Sequence, residues 1–231
     1  MESNDPVYSL SGRSGLRLGI MGGAFDPIHL AHLVAADEAM AQFELDEVVF
    51  MPTGGHPHKG PRTAAAEFRY LLASVATASN PRFSVSRYEI EKQGTAYTAD
   101  TLEFLAAQFA PSTQLFFITG ADALLDLLTW KDPEKVLALS TLVAASRPGY
   151  DLSSLPDVLA KLVELHGDAG LRGRVKLFAI PSLDISSSMI RQRLRLGRPV
   201  RYLLPQGVAE LVEKSDHYRE AFSHQASGEG E

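Results

Sequence analysis

The sequence predicts an α/β fold, a doubly wound parallel sheet with helices on both faces, on three observations. Short apolar runs alternate with amphipathic segments at the length of a βα repeat. The apolar runs suit burial on both sides, as central parallel strands require. No internal repeat or linker interrupts residues 16–215, so they are expected to form one domain.

The elements follow in order. Leu16–Met21 is a short apolar strand closed by Gly22-Gly23, and Leu33–Gln42 has helical character. Glu47–Met51 is a strand closed by Pro52. Ala64–Ala78 is a helix with Phe68, Leu71, Leu72 and Val75 on one stripe. Phe83–Ile90 favours strand. Thr98–Phe109 favours helix, with Leu102, Leu105 and Phe109 on one side. Gln114–Thr119, Thr141–Ala145 and Val175–Ile180 are further strands, and helices follow at Ser187–Arg195 and Gln206–Lys214. Thr53–Thr63 is the longest interior loop. Its Gly, Pro and basic content predicts a mobile flap over a site. Residues 1–15 and 217–231 are polar, lack periodicity and are expected to be mobile tails.

Composition removes several functions. Zero Cys excludes a disulfide framework, a thiolate zinc site, an iron–sulfur cluster and a cysteine nucleophile. No stretch of about 18 apolar residues is present, so no membrane span is expected. The N-terminal stretch lacks the apolar core of a secretory signal, which makes the cytoplasm the expected location. A net charge of -6 argues against a nucleic-acid partner. It says little about small anions, because a local site can oppose the global charge.

The densest chemical signal is at the first strand–loop–helix junction, Gly22-Gly23-Ala24-Phe25-Asp26-Pro27-Ile28-His29-Leu30-Ala31-His32. In a doubly wound fold, ligands bind beyond the carboxyl ends of the strands, near helix N-termini. Gly22 and Gly23 let backbone N–H groups approach a ligand, and the helix dipole favours an anion such as phosphate. His29 and His32, three apart on a helical turn, point the same way and can donate to phosphate oxygens. The segment is neither a Walker A loop nor Gly-x-Gly-x-x-Gly. Alone, a Gly-Gly turn after a strand is mostly structural, and a His pair at this spacing also suits a metal. No third soft ligand lies nearby in sequence, so no protein metal site is expected.

A second signal is Asp184-Ile185-Ser186-Ser187-Ser188-Met189-Ile190-Arg191. Ser at a helix start is first of all an N-cap. The same geometry offers Ser187 and Ser188 hydroxyls, backbone donors and the Arg191 guanidinium to a polyphosphate. Arg193 and Arg195 suit a solvated face.

Together these two blocks resemble the nucleotidyltransferase superfamily with HxGH and ISSTxxR signatures, which has a Rossmann-like fold. Five further blocks follow in register: Pro57-His58-Lys59, Ala96–Thr101, Phe117–Asp122, Trp130-Lys131 and Ser146–Gly149. With Tyr202-Leu203-Leu204-Pro205, they resemble bacterial nicotinate-nucleotide adenylyltransferases over residues 16–215. Ala31 departs from the usual Gly and Ser188 from the usual Thr. Neither removes a proposed catalytic group.

The resemblance implies transfer of the ATP adenylyl group to nicotinate mononucleotide, with Mg2+ bound to the ATP phosphates. It makes His29, His32 and Arg191 catalytic. Gly22, Gly23, Phe25, Lys59, Asp122, Ser187 and Ser188 would bind the nucleotide and its phosphates. Thr98 and Trp130 would bind the nicotinate, and Arg147 would also contact a ligand. By their own chemistry, Thr98 and Asp122 equally suit helix caps, Trp130 a core position and Arg147 a surface ion pair. The alternatives are a sister enzyme using phosphopantetheine, a phosphorylated polyol or nicotinamide mononucleotide, and a non-catalytic nucleotide sensor.

Overall fold

A computed structural model of the chain describes residues 5–54, 64–92, 94–146, 151–168 and 170–218. Six strands form one sheet: β1 Arg17–Gly23, β2 Glu47–Pro52, β3 Phe83–Val85, β4 Gln114–Gly120, β5 Thr141–Ser146 and β6 Val175–Ala179. Their order is β3-β2-β1-β4-β5-β6, and every neighbouring pair is parallel. Strand order therefore reverses between β1 and β4, whose loops diverge to opposite faces and open a crevice at the carboxyl edge.

Side-chain alternation along each strand builds two cores. Met21, Val48, Phe50, Ile118, Val143 and Phe178 face one layer. There they meet α2 (Leu30–Gln42), α3 (Ala66–Thr77), α9 (Ser187–Arg195) and α10 (Gln206–Lys214) through Ala36, Leu72, Ile190 and Val208. Leu18, Ile20, Val49, Met51, Phe117 and Leu142 face the other layer. The described helices there are α1 (Pro6–Leu10), α5 (Thr98–Gln108), α6 (Ala121–Leu125), α7 (Pro133–Leu139) and α8 (Leu155–His166), with α4 (Tyr88–Glu91) beside the edge of β2. The expected α/β architecture is present.

Several local expectations change. Residues 5–10 are not a tail: the Asp5 carboxylate caps α1 by accepting from Val7 N–H, while Val7 and Leu10 are buried. The other Asp5 oxygen accepts from the Ser86 hydroxyl at 2.9 Å and the Arg87 N–H at 2.6 Å. That contact, with Ser86 Oγ accepting from Tyr88 N–H, ends β3 at Val85 and starts α4, so Phe83–Ile90 is not one strand. On α3 the buried face is rotated: Arg69, Leu72, Ala73 and Ala76 are buried, whereas Leu71 is exposed. At the other end, Asp216–Tyr218 forms a helical turn with Tyr218 5% exposed, so the tail read from 217 began too early. Helices α7 and α8 were missed, although each carries Pro at its first or second position, a helix-start signal. The Thr53–Thr63 flap lies outside the described residues beyond Gly54, as do Lys59 and Arg147.

Gly19 marks the closest packing between β1 and its neighbours. A Cβ there would lie 2.9 Å from both Leu45 Cδ1 and Val48 Cγ2, and 3.0 Å from Ile118 Cδ1, all three buried. Gly19→Ala should therefore destabilise the protein by about 1–3 kcal/mol through overpacking. Urea denaturation measures this, and an unchanged midpoint would show that the core yields at no cost.

Candidate active site

After β1 the chain turns through Ala24, Phe25, Asp26 and Pro27 into α2, whose N-cap is His29. Phe25 sits in the left-handed region at φ 49°, a conformation that costs a non-glycine residue about 1–3 kcal/mol. It turns a buried ring toward His32, edge-on with centroids 5.2 Å apart, and toward Phe50 at 5.8 Å. Phe25 is 2% exposed. It thus supports the His32 ring as well as lining the turn.

His29 is extended at φ −146°, and His32 occupies the third position of the helix. The His29 backbone N–H donates to His32 Nδ1 at 3.2 Å, as one half of a capping box. That bond assigns the neutral tautomer: Nδ1 accepts, so the ring proton is on Nε2, which is left as a donor. The two imidazoles stack with centroids 3.7 Å apart and planes 20° apart. Burial first, and the neighbouring His29 second, hold the His32 pKa well below the ordinary imidazole value. His32 is therefore a neutral donor at pH 7.

Helix α9 approaches the same turn from far along the chain. Ser186, not Ser187, is its N-cap, accepting from Met189 N–H at 3.2 Å. Ser187 Oγ donates to the Pro27 carbonyl at 2.9 Å, which ties the start of the helix to this turn. Arg191 Nη1 donates to the Asp26 carbonyl at 2.6 Å and Nη2 to Ser188 Oγ at 3.1 Å. The N-termini of α2 and α9 thus meet at Asp26–Pro27, with His29, His32, Ser187, Ser188 and Arg191 around one junction. Two helix N-termini and a guanidinium at one turn are suited to an anion.

Sequence reasoning missed Arg69, which is 3% exposed. Its guanidinium donates to the carbonyls of Ala24 (2.6 Å), Thr53 (2.7 Å), Gly54 (2.8 Å) and Ala64 (3.0 Å). One cation therefore joins the turn after β1 to both ends of the Gly54–Ala64 connection. The available signal was a charge beside an apolar stripe, which usually reads as solvated.

The pyridine-side candidates gather on the other flank of β1. Trp130 is half-buried and edge-on to Phe117, with centroids 5.9 Å apart. Phe117 lies under Gly22, where a Cβ would come within 3.1 Å of the ring, and Gly23 makes room for Phe25 in the same way at 3.2 Å. The two glycines thus admit aromatic rings beneath the turn. Lys131 joins this group to the start of α5: its Nζ lies 3.0 Å from Asp100 Oδ1 and 4.7 Å from the Tyr97 ring centroid. Thr98 is the first residue of α5, with Tyr97 as its N-cap. Asp122 follows β4 in the first turn of α6, exposed, and folds back so that a Cβ on Gly120 would lie 2.3 Å from its Oδ1.

The state of His32 carries a stability consequence. The unfolded chain takes up a proton near pH ~6.5, which the folded ring resists, so below that pH the unfolded state binds more protons. Stability should fall as pH drops through about 6.5. His32→Gln, which can still accept from His29 N–H, should lessen that loss. Urea midpoints at pH 7.5 and 5.5 measure it, and an equal loss in both proteins would contradict a neutral His32.

Residues 20–193 match the cytidylyltransferase-like family. A protein of Mycolicibacterium vanbaalenii is 49% identical over 90% of this chain and 94% of its own length. One of Thermoanaerobacter sp. is 44% identical over 88% of this chain and 95% of its own. Both bear the description "Probable nicotinate-nucleotide adenylyltransferase". The nicotinic acid mononucleotide adenylyltransferase of Plasmodium falciparum, solved with NaAD, superposes with a TM-score of 0.68 at 18% identity, over 88% of this chain and 97% of that one. At that identity it supports the fold alone. With the site at the β1–α2 junction and relatives matched nearly end to end, the chain belongs to the cytidylyltransferase-like family, and within it to the nicotinate-nucleotide adenylyltransferases.

Proposed function

We propose that this chain transfers the adenylyl group of ATP to nicotinate mononucleotide, yielding nicotinate adenine dinucleotide and pyrophosphate. The observation that carries the reading is the junction of α2 and α9 on one turn, with His32 Nε2–H and Arg191 beside it. The relatives' descriptions support the acceptor.

A phosphate oxygen of the mononucleotide attacks the ATP α-phosphorus in line. The bond from that phosphorus to the bridging oxygen breaks, and pyrophosphate leaves with the electron pair. The attacking group is already an anion, so no protein nucleophile is needed. Catalysis is positioning plus stabilisation of charge on the phosphoryl oxygens. His32, a neutral donor, can serve those oxygens without a change of protonation. His29 stacks on it and fixes its plane. Arg191 and the first N–H groups of α9 would receive the leaving pyrophosphate. Lys59 would add charge from the segment after Gly54, and Arg147 from the end of β5.

Among the described residues no three His, Cys, Asp or Glu side chains gather as a metal cage. Mg2+ would enter with the ATP phosphates, where it would neutralise phosphate charge. For the acceptor, Trp130 would stack on the pyridine ring, with Thr98 and the Tyr97–Lys131 pair at its edge. Charge-assisted hydrogen bonds there favour a ring carboxylate over an amide. No described helix is long and apolar enough to cross a membrane.

Pyrophosphate release with ATP and a panel of acceptors tests the assignment. Nicotinate mononucleotide should be used at least about tenfold better than the amide, about 1.4 kcal/mol in transition-state binding. Phosphopantetheine and phosphorylated polyols should be inert. An equal or better amide would refute carboxylate recognition, and preference for another acceptor would refute the reading. Trp130→Ala should weaken use of both mononucleotides and leave ATP binding nearly unchanged. His32→Ala should lower kcat about 100–1000-fold with the fold retained. Activity within a few-fold of wild type would remove His32 from the chemistry.

A further inference from the structure

The Asp26 carboxylate lies beneath the catalytic turn, 2% exposed. Oδ1 accepts from the Tyr218 hydroxyl at 2.9 Å and from the Ala64 N–H at 3.2 Å. Oδ2 is buried, has no hydrogen-bond partner among the described residues, and lies 3.8 Å from Arg191 Nη1. Rotation of the carboxylate therefore decides whether its charge faces Arg191. Among the described residues, the hydrogen bonds that restrain that rotation are the two on Oδ1, of which Tyr218 makes the shorter.

Tyr218 reaches this place from the turn after α10, 192 residues along the chain from Asp26. Its ring is buried and packs near Phe68, with centroids 6.3 Å apart. Burial first, then the Asp26 carboxylate, push the phenol pKa upward, so the hydroxyl keeps its proton and donates. A phenylalanine would fill nearly the same volume. The reason for a buried hydroxyl here is the carboxylate it meets.

We propose that Tyr218 is a positioning residue for adenylyl transfer: its hydroxyl holds the Asp26 carboxylate against Arg191, and so aims the guanidinium that receives the leaving pyrophosphate. The proposal rests on the adenylyl-transfer reading above.

The test is steady-state kinetics on the full chain, in both directions, for wild type, Tyr218→Phe, Asp26→Asn and the double variant, with melting curves for each. Tyr218→Phe should lower kcat about tenfold and raise the KM for pyrophosphate in the reverse reaction about tenfold, the scale of losing one hydrogen bond to a charged group. The KM for nicotinate mononucleotide should not move. The double variant should be no worse than Asp26→Asn alone, because the hydroxyl acts only through that carboxylate. If Tyr218→Phe does not fold, Asp26→Asn must itself show the pyrophosphate defect. A kcat and pyrophosphate KM within twofold of wild type, a change confined to melting, or additive losses would overturn the assignment. Absence of pyrophosphate release from wild type would instead sink the adenylyl-transfer reading, and the Tyr218 role with it.

Discussion

Three carbonyls in the turn between β1 and α2 are taken by side chains from distant elements. Arg69 of α3 donates to Ala24, Arg191 of α9 to Asp26, and Ser187 of α9 to Pro27. These carbonyls precede the helix and have no ladder partner at the end of the strand, yet a buried acceptor left unmet costs about 1–3 kcal/mol. Meeting them with two guanidinium groups and a hydroxyl draws α3 and α9 onto the turn. The site exists because that turn is the place where remote parts of the chain must converge. The Leu30 N–H, received by the Leu203 carbonyl at 3.1 Å, adds the segment before α10 to the same junction.

Two guanidinium groups and one carboxylate share this buried ground. Removing charges from water is expensive unless each is paired or hydrogen-bonded. Arg69 meets the condition through its four carbonyl acceptors. Asp26 meets it on Oδ1 through Ala64 and Tyr218, while its second oxygen lies 3.8 Å from Arg191 Nη1. Burial lowers the Arg69 pKa, and the nearby Asp26 and Tyr218 oppose that shift. An incoming polyphosphate would find a cation already held in place. It would also find a neutral imidazole donor that needs no proton change, with the N-termini of α2 and α9 at the same turn. Such preorganisation is what a reaction without a protein nucleophile requires.

The chemistry-bearing half of the site was legible in the sequence because it is local. Gly22-Gly23, His29 and His32 lie on one strand–turn–helix unit, and Ser186 to Arg191 on one helix start, where spacing and capping preference speak directly. The apolar runs at 47–51, 114–119 and 141–145 announced the parallel sheet for the same reason. What escaped depends on long-range contact. Arg69 looks like a solvated charge until the turn carbonyls are placed beside it, and Tyr218 like tail until Asp26 is found under it. Val7 and Leu10 belong to the core only because Asp5 captures Ser86 and Arg87.

On the proposed function, the ATP phosphates would sit between the N-termini of α2 and α9 at the Asp26–Pro27 turn. A crystal structure with a non-hydrolysable ATP analogue and Mg2+ tests this most directly. Phosphate oxygens should lie within hydrogen-bond distance of His32 Nε2 and of Arg191 or the first N–H groups of α9, with the metal held by phosphates and water. A triphosphate seated elsewhere along the sheet edge, with His32 and Arg191 both untouched, would contradict it.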